Sequence, residues 1–292
     1  MMNNTYTLLP ANVVYNIDEQ FPKLTDPTKK VGIFLSGGME STLIGKISQE
    51  LYGVDNIVYI YSDVMFCGPN EKKREHLGTN NKISKNNLGV ETLYIDVDYD
   101  LHISDRRQSI DNLFNMLKTE HNIEYTLWGF TKLFFQVEVF KREFVTKEDI
   151  YRIALGDIEK YRSTIEEFHI PTHVYVEQLL NIDIPPEVHP LIRDYEGFVY
   201  SPFHLLNKSE VVDFYKQLDL VDLLYKTTSC TQPAITETGN HCGYCFNCQQ
   251  RHDAFRINGT VEDKTVYNHD LVATRRLQLE EAMRNDPLYN KN

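Results

Sequence analysis

The stretch "VGIFLSGGMEST", Val31 to Thr42, constrains the fold more than any other part of the chain. An apolar run of strand character breaks at Ser36-Gly37-Gly38. A helical pattern then begins at once, placing Leu43, Ile44, Ile47 and Leu51 on one face and stopping at Gly53. The run lacks the alternation of a half-wet strand, so it is expected to be buried on both faces. A strand of that kind that feeds a helix calls for a parallel sheet with helices packed on both sides. The pattern repeats downstream. "NIVYIYSD" reads as a second strand, and "PNEKKREHLGTNNKISKNNLG" as a polar, helix-like stretch ending at Gly89. "ETLYIDVD" reads as a third strand, and "SDRRQSIDNLFNMLKTEH" as a helix with Ile110, Leu113, Phe114 and Leu117 in its apolar stripe. "EYTLWGF" reads as a fourth strand. Ligands of such sheets bind at the carboxyl ends of the strands, where the Ser-Gly-Gly turn falls.

Residues 1–30 carry Pro10, Pro22 and Pro27 and show no clear period; they are expected to be an extension that packs on the core or is partly mobile. Residues 31–229 form the α/β domain. An insertion at about 141–196 interrupts it, with the helical "TKEDIYRIALGDIEKYRSTIEEFHI" and the proline-marked "IDIPPEVHP". The pattern resumes with a short strand in "GFVYSPFHLL". The helix "NKSEVVDFYKQL" follows, with Asn207 at the cap and Glu210 three residues on, a capping-box arrangement. Residues 230–292 hold a cysteine cluster and C-terminal helices, among them the mostly charged "VATRRLQLEEAMR".

The formal net charge is −12, which disfavours a large nucleic-acid footprint and leaves small ligands in a local basic pocket as the favoured partners. No apolar run reaches the roughly 18 residues of a membrane span. The start, "MMNNTYTLLPANV", has neither a basic segment nor a long apolar one, so the expected setting is the cytoplasm. Of the five cysteines, Cys67 stands alone. Cys230, Cys242, Cys245 and Cys248 lie in "CTQPAITETGNHCGYCFNC", a spacing that points to metal rather than disulfides. Four thiolates suit tetrahedral Zn²⁺ with no open position, a structural site; iron–sulfur ligation uses the same residues and stays open. His241 and His252 lie nearby, but four cysteines already complete the shell.

Glycines let the backbone approach a ligand, and the start of a helix offers unpaired N–H groups and the positive end of its dipole, a combination that binds phosphate. Ser36, Ser41 and Thr42 can add hydroxyl donors. The spacing fits neither G-x-x-x-x-G-K-[ST] nor G-x-G-x-x-G. It fits S-G-G-x-[DE]-S-[TS], which resembles the pyrophosphate loop (PP-loop) of the N-type ATP pyrophosphatases, enzymes that cleave ATP between its α and β phosphates. Glu40 stands where that superfamily usually has Asp. The resemblance implies that Leu35, Ser36, Gly37, Gly38, Met39, Glu40, Ser41 and Thr42 hold ATP and Mg²⁺.

The stretch "NKSEVVDFYKQLDLVDLLYKTTSCTQPAITETGNHCGYCFNCQQR" resembles the 7-cyano-7-deazaguanine synthases, the QueC enzymes of queuosine biosynthesis. The resemblance covers 198–255 well and 31–140 loosely. It implies an adenine-nucleotide α-hydrolase-like, Rossmann-like parallel sheet with helices on both faces, followed by a zinc-bearing segment. It implies adenylation of 7-carboxy-7-deazaguanine, displacement of AMP by ammonia, and dehydration of the amide to a nitrile. Ser36 and Lys208 would then be catalytic, with Lys208 a second phosphate contact. Ser62 and Asp63 would border the adenine and ribose, and Gly129 of "WGF" would complete the nucleotide site. Arg251 would contact a ligand or merely decorate the helix after the knuckle. Departures are visible: "YSDVMFCGPNEKKREH" replaces the family's Tyr-Gly-Gln loop, and no Gly-Arg-Asn segment precedes "WGF". The expected partners are a small carboxylate and ammonia or an amine, with no membrane; a homodimer is allowed. The competing readings are a PP-loop enzyme that modifies tRNA, and a zinc-stabilised binding module whose nucleotide site has decayed.

Overall fold

Five parallel strands stand side by side in the order β5-β4-β3-β6-β7: β3 Lys30–Phe34, β4 Ile57–Ser62, β5 Thr92–Ile95, β6 Ile123–Leu127 and β7 Val199–Tyr200. The computed structural model describes residues 4–9, 12–62, 82, 85–95, 106–131, 192, 194–230 and 239–271. Val31 pairs with Ile57 and Ile33 with Tyr59 on one side of β3, while β6 pairs along the other. From β3 the chain first builds outward through β4 and β5, then returns to the far side of β3 to lay down β6 and β7. That reversal leaves a crevice between the carboxyl ends of β3 and β6, the place where ligands bind in open α/β sheets.

Both faces of the sheet are covered. Helix α2, Met39–Tyr52, buries Leu43, Ile44 and Ile47 against Val31, Ile33 and Tyr59. Helix α3, Arg106–Thr119, buries Ile110, Leu113, Phe114 and Leu117 against Phe34, Ile60, Ile123 and Val199 on the opposite face. Each such side chain stabilises the fold by roughly 1.5–3 kcal/mol when fully buried. The fold is thus the expected Rossmann-like α/β sheet, with its helical stripes read at the right positions. The fourth strand ends earlier than its apolar run, at Leu127; the Trp128 ring just beyond it stacks on Phe34 at 3.7 Å between ring centroids.

Helix α4, Lys208–Gln217, opens with the expected capping box. Asn207 accepts from the Ser209 and Glu210 N–H groups, and the Glu210 carboxylate accepts from the Asn207 N–H at 2.8 Å. It is followed by α5, Val221–Tyr225, and α6, Phe246–Asn258. The N-terminal residues, where the sequence showed no period, form an antiparallel hairpin of β1 Thr5–Leu8 and β2 Val13–Asn16, then the short α1 Ile17–Gln20. The hairpin packs on α4: the Tyr6 and Tyr15 rings lie 4.9 and 5.2 Å from Phe214, and the Leu9 N–H donates to the buried Asp213 carboxylate. Four-residue strands are too short to display a period, although Tyr6 and Leu8 do alternate inward.

Of the helix-like stretch ending at Gly89, residues 85–88 are helical. Most of the 141–196 insertion, the final charged helix, Asp63 and Cys67 lie outside the described residues. No helix among the described residues is long and apolar enough to cross a membrane.

Candidate active site and metal centre

The Ser-Gly-Gly turn lies at the crevice, and neighbouring elements fix it from three sides. Gly37 takes φ +90°, a region in which a Cβ is strained, and Gly38 forms the N-cap of α2 without any side-chain cap. The first N–H groups of α2 therefore face the crevice as donors, with the helix dipole behind them. Within the turn, the Ser36 and Ser41 hydroxyls lie 3.1 Å apart, and Ser41 Oγ donates to the Gly38 carbonyl at 3.3 Å. The Thr42 N–H also donates to Gly38 O, at 3.1 Å, as the first turn of the helix closes. Leu35 and Met39 are fully buried; the Leu35 N–H donates to Ile60 O, and Met39 O accepts from the Tyr215 hydroxyl at 2.7 Å. Burial, and after it the nearby Glu40 charge, push the Tyr215 hydroxyl well above its ordinary pKa, so it remains a donor.

Glu40 and Lys208 face each other here. Lys208 Nζ lies 2.7 Å from Glu40 Oε1, with side chains only 11% and 9% exposed. The capping box at the start of α4 sets the position of Lys208, and the first turn of α2 sets that of Glu40. Lys208 is thus neither a solvated surface lysine nor free in the crevice; it is a buried cation beside the turn. Gly129, just past β6, lies so close to the start of α2 that a Cβ there would be 2.9 Å from both Glu40 Cβ and Ser41 N. Ser62 ends β4 at the same end of the sheet.

A third contact comes from a segment whose role the sequence did not disclose. The Thr228 N–H donates to Gly37 O at 2.9 Å. Thr228 lies in the run Thr227-Thr228-Ser229-Cys230, every residue of which is buried. Arg251 secures this run. Rather than decorating the helix, it is a fully buried guanidinium, 1% exposed, bonded to Thr227 Oγ1 at 2.8 Å, Thr265 Oγ1 at 2.8 Å, Leu224 O at 3.1 Å and Ser229 Oγ at 3.4 Å. Its burial lowers the pKa below the ordinary arginine value. The Thr228 contact runs through a backbone N–H, so no residue type in the run signals it.

Cys230, Cys242, Cys245 and Cys248 are buried together, with their sulfurs all within 4.8 Å of one another. Cys242 and Cys248 Sγ are 3.7 Å apart. Four thiolates at about 2.3 Å from one tetrahedral ion stand about 3.8 Å from each other, so the donor set fits a single metal ion. The Cys242 N–H points at Cys230 Sγ, and the Tyr244 and Cys245 N–H groups point at Cys242 Sγ, at 3.2–3.4 Å. Gly243 makes this turn possible at φ +82°; a Cβ there would lie 2.5 Å from His269 O. His241 and His252 are not ligands. His241 Nε2 accepts from the Ser229 N–H at 3.1 Å, and His252 Nδ1 faces Asp263 at 3.5 Å.

The sequence model of the family described as "Queuosine biosynthesis protein QueC" matches residues 172–259, the stretch that carries Lys208, all four clustered cysteines and Arg251. No curated protein matches the chain. Among solved structures, the U34-tRNA thiolase NcsA from Methanococcus maripaludis, with its 4Fe–4S cluster, aligns over 85% of this chain and 80% of its own at 15% identity, with a TM-score of 0.35. The family match covers residues 172–259 alone; the described residues form a parallel α/β sheet with four buried cysteines placed to bind a metal at its C-terminal side.

Proposed function

We propose that the chain is an ATP-dependent ligase that adenylates a carboxylate and passes the acyl group to ammonia or an amine, with 7-carboxy-7-deazaguanine as its substrate. The observation that carries this reading is convergence: Lys208 and the cysteine segment, both within the QueC-matched stretch, pack directly on Glu40 and Gly37 of the Ser-Gly-Gly turn. Residues 31–229 would form the catalytic domain, in a cytoplasmic setting where thiols stay reduced for a metal.

A carboxylate resists nucleophiles, so its oxygen must first become part of a leaving group. One carboxylate oxygen attacks the α-phosphorus of ATP, the bond to the bridging oxygen breaks, and pyrophosphate departs. Ammonia then attacks the carbonyl carbon, the C–O bond breaks, AMP leaves with that oxygen, and a proton passes to solvent. The amide oxygen then attacks the α-phosphorus of a second ATP with release of pyrophosphate, and loss of AMP and both amide N–H protons yields the nitrile. Ser36 and the N–H groups of Gly38, Met39 and Glu40 would oppose the charge growing on pyrophosphate. Lys208 would supply a cation on the same side, and Glu40 a carboxylate for Mg²⁺. Ser62 and Asp63 would border adenine and ribose. Gly129 admits the close approach of β6 to α2.

The metal is read as structural Zn²⁺. Sulfurs that all lie within 4.8 Å of one another support a single ion over a 4Fe–4S cluster, which places a separate iron behind each thiolate. Incubation with ATP, ammonium and 7-carboxy-7-deazaguanine, followed by mass spectrometry, tests the proposal. The nitrile with AMP supports it. AMP formed only with a different carboxylate moves the substrate within the class, AMP formed only with tRNA turns the reading to a tRNA-modifying enzyme, and no AMP under any condition removes it.

A further inference from the structure

We propose that the metal site sets the nucleotide affinity of the Ser-Gly-Gly turn through residues 227–230, with Thr228 and Arg251 as positioning residues. This rests on the reading that the turn binds ATP.

The argument starts from one peptide unit. The Gly37–Gly38 peptide is planar and, if trans, points its C=O and N–H in opposite directions. Whatever fixes Gly37 O therefore aims the Gly38 N–H, the donor at the N-cap of α2. A glycine stands on each side of that peptide, and glycines resist rotation least, so the unit can flip at low cost unless it is held. Within the turn itself it is held only weakly: the Gly38 N–H reaches Ser36 Oγ at 3.5 Å, the outer limit of a hydrogen bond. The firm contact is the Thr228 N–H on Gly37 O at 2.9 Å.

Thr228 in turn is held by the metal centre. Cys230 lies two residues away, about 7 Å of extended chain at most, and its sulfur is one of the four. Ser229 between them donates its N–H to His241 Nε2, and His241 adjoins Cys242. Arg251, three residues beyond Cys248 on α6, reaches back to Thr227 Oγ1 and Ser229 Oγ, the residues on either side of Thr228. An ion that draws Cys230 toward Cys242, Cys245 and Cys248 therefore pulls this strap taut and fixes the Gly37–Gly38 peptide. Without the ion the strap has lost its anchor, and the peptide samples orientations that turn the Gly38 N–H away from phosphate. The coupling is a free energy shared by two sites, so it works in both directions: nucleotide must tighten the metal by the same factor that metal tightens nucleotide.

The full chain loaded with Zn²⁺ provides the test, with α,β-methylene-ATP as the probe. Zinc affinity is read by equilibrium competition with a chromogenic chelator, with and without the probe, and probe affinity by calorimetry. The wild type is expected to hold zinc about tenfold more tightly with the probe bound, within the usual range of such couplings. Thr228→Pro removes the N–H while leaving all four cysteines. It is expected to retain zinc, to bind the probe about tenfold more weakly and to lose the effect of the probe on zinc. Should that variant not fold, Thr227→Val removes one acceptor of Arg251 with its shape kept, and shifts both readouts in the same direction by less. A wild type that binds the probe with unchanged zinc affinity overturns the coupling and leaves the ATP reading intact. A wild type that does not bind the probe at all overturns both.

Discussion

Lys208 and Glu40 form a buried ion pair, 2.7 Å apart, between the first turns of two helices that the chain makes far apart in sequence. Removing one partner leaves a charge in a dry place, and buried pairs broken in this way cost about 3–5 kcal/mol. Lys208→Met is therefore expected to lower the unfolding free energy by about 3 kcal/mol. Glu40→Gln, which keeps a hydrogen-bonding oxygen, should cost less. The double variant should lose less than the sum of the two singles, because the second change removes a charge that the first has already orphaned. Chemical denaturation of all four proteins gives the coupling; strict additivity would mean that the two groups do not interact in solution.

Gly38 and Gly129 should respond differently to a single methyl group. Gly38 has φ −69°, ordinary for any residue, and a Cβ there would meet Glu40 Oε2 at 3.4 Å and Ser36 Oγ at 3.5 Å, normal contacts. Gly38→Ala should thus fold within about 0.5 kcal/mol of wild type, yet lose about tenfold or more in ATP affinity by filling the cradle. Gly129→Ala meets backbone at 2.9 Å and should cost about 1–3 kcal/mol as α2 and the end of β6 are forced apart. Thermal melts with nucleotide titrations separate the two effects.

How much of this is legible in the sequence differs from feature to feature. The strand–turn–helix at Ser36–Thr42, the stripe on α3 and the Asn207–Glu210 box can be read locally, because each is set by residues within two turns of one another. The four cysteines are legible because close spacing and thiol chemistry leave few alternatives. The pairing of Glu40 with Lys208, the burial of Arg251 and the Thr228 contact are not, since only the folded sheet brings those segments together. Arg251 is the plainest case: after a metal knuckle it reads as a ligand contact or a helix decoration, and its burial depends on neutral oxygens supplied by Leu224, Thr227, Ser229 and Thr265.

Metal removal should unfold the C-terminal side first. Cys245→Ser is expected to lower zinc content and melting temperature together, because metal binding contributes folding energy directly. Elemental analysis beside calorimetry checks this; full zinc content in the variant would mean that the ion is held elsewhere.

Asp263 gives the acid dependence. Burial raises its carboxyl pKa, but hydrogen bonds from His252, Thr265 and Tyr267 outweigh that and hold it below the ordinary value. A carboxylate with a depressed folded pKa adds stability that is present above its unfolded pKa of about 3.9 and is lost as pH falls through the folded value. The stability gap between wild type and Asp263→Asn should therefore be full at pH 7 and close below about pH 4. A gap that persists unchanged at pH 3 would show that the carboxylate charge is not what stabilises.

The central claim is that the Ser-Gly-Gly turn holds ATP for attack by a carboxylate on its α-phosphorus. Turnover with carboxyl-¹⁸O-labelled 7-carboxy-7-deazaguanine, ammonium and ATP tests it most directly, by mass spectrometry of the AMP released. The account predicts AMP that carries one ¹⁸O taken from the substrate carboxylate; unlabelled AMP, or ADP and phosphate in its place, would contradict it.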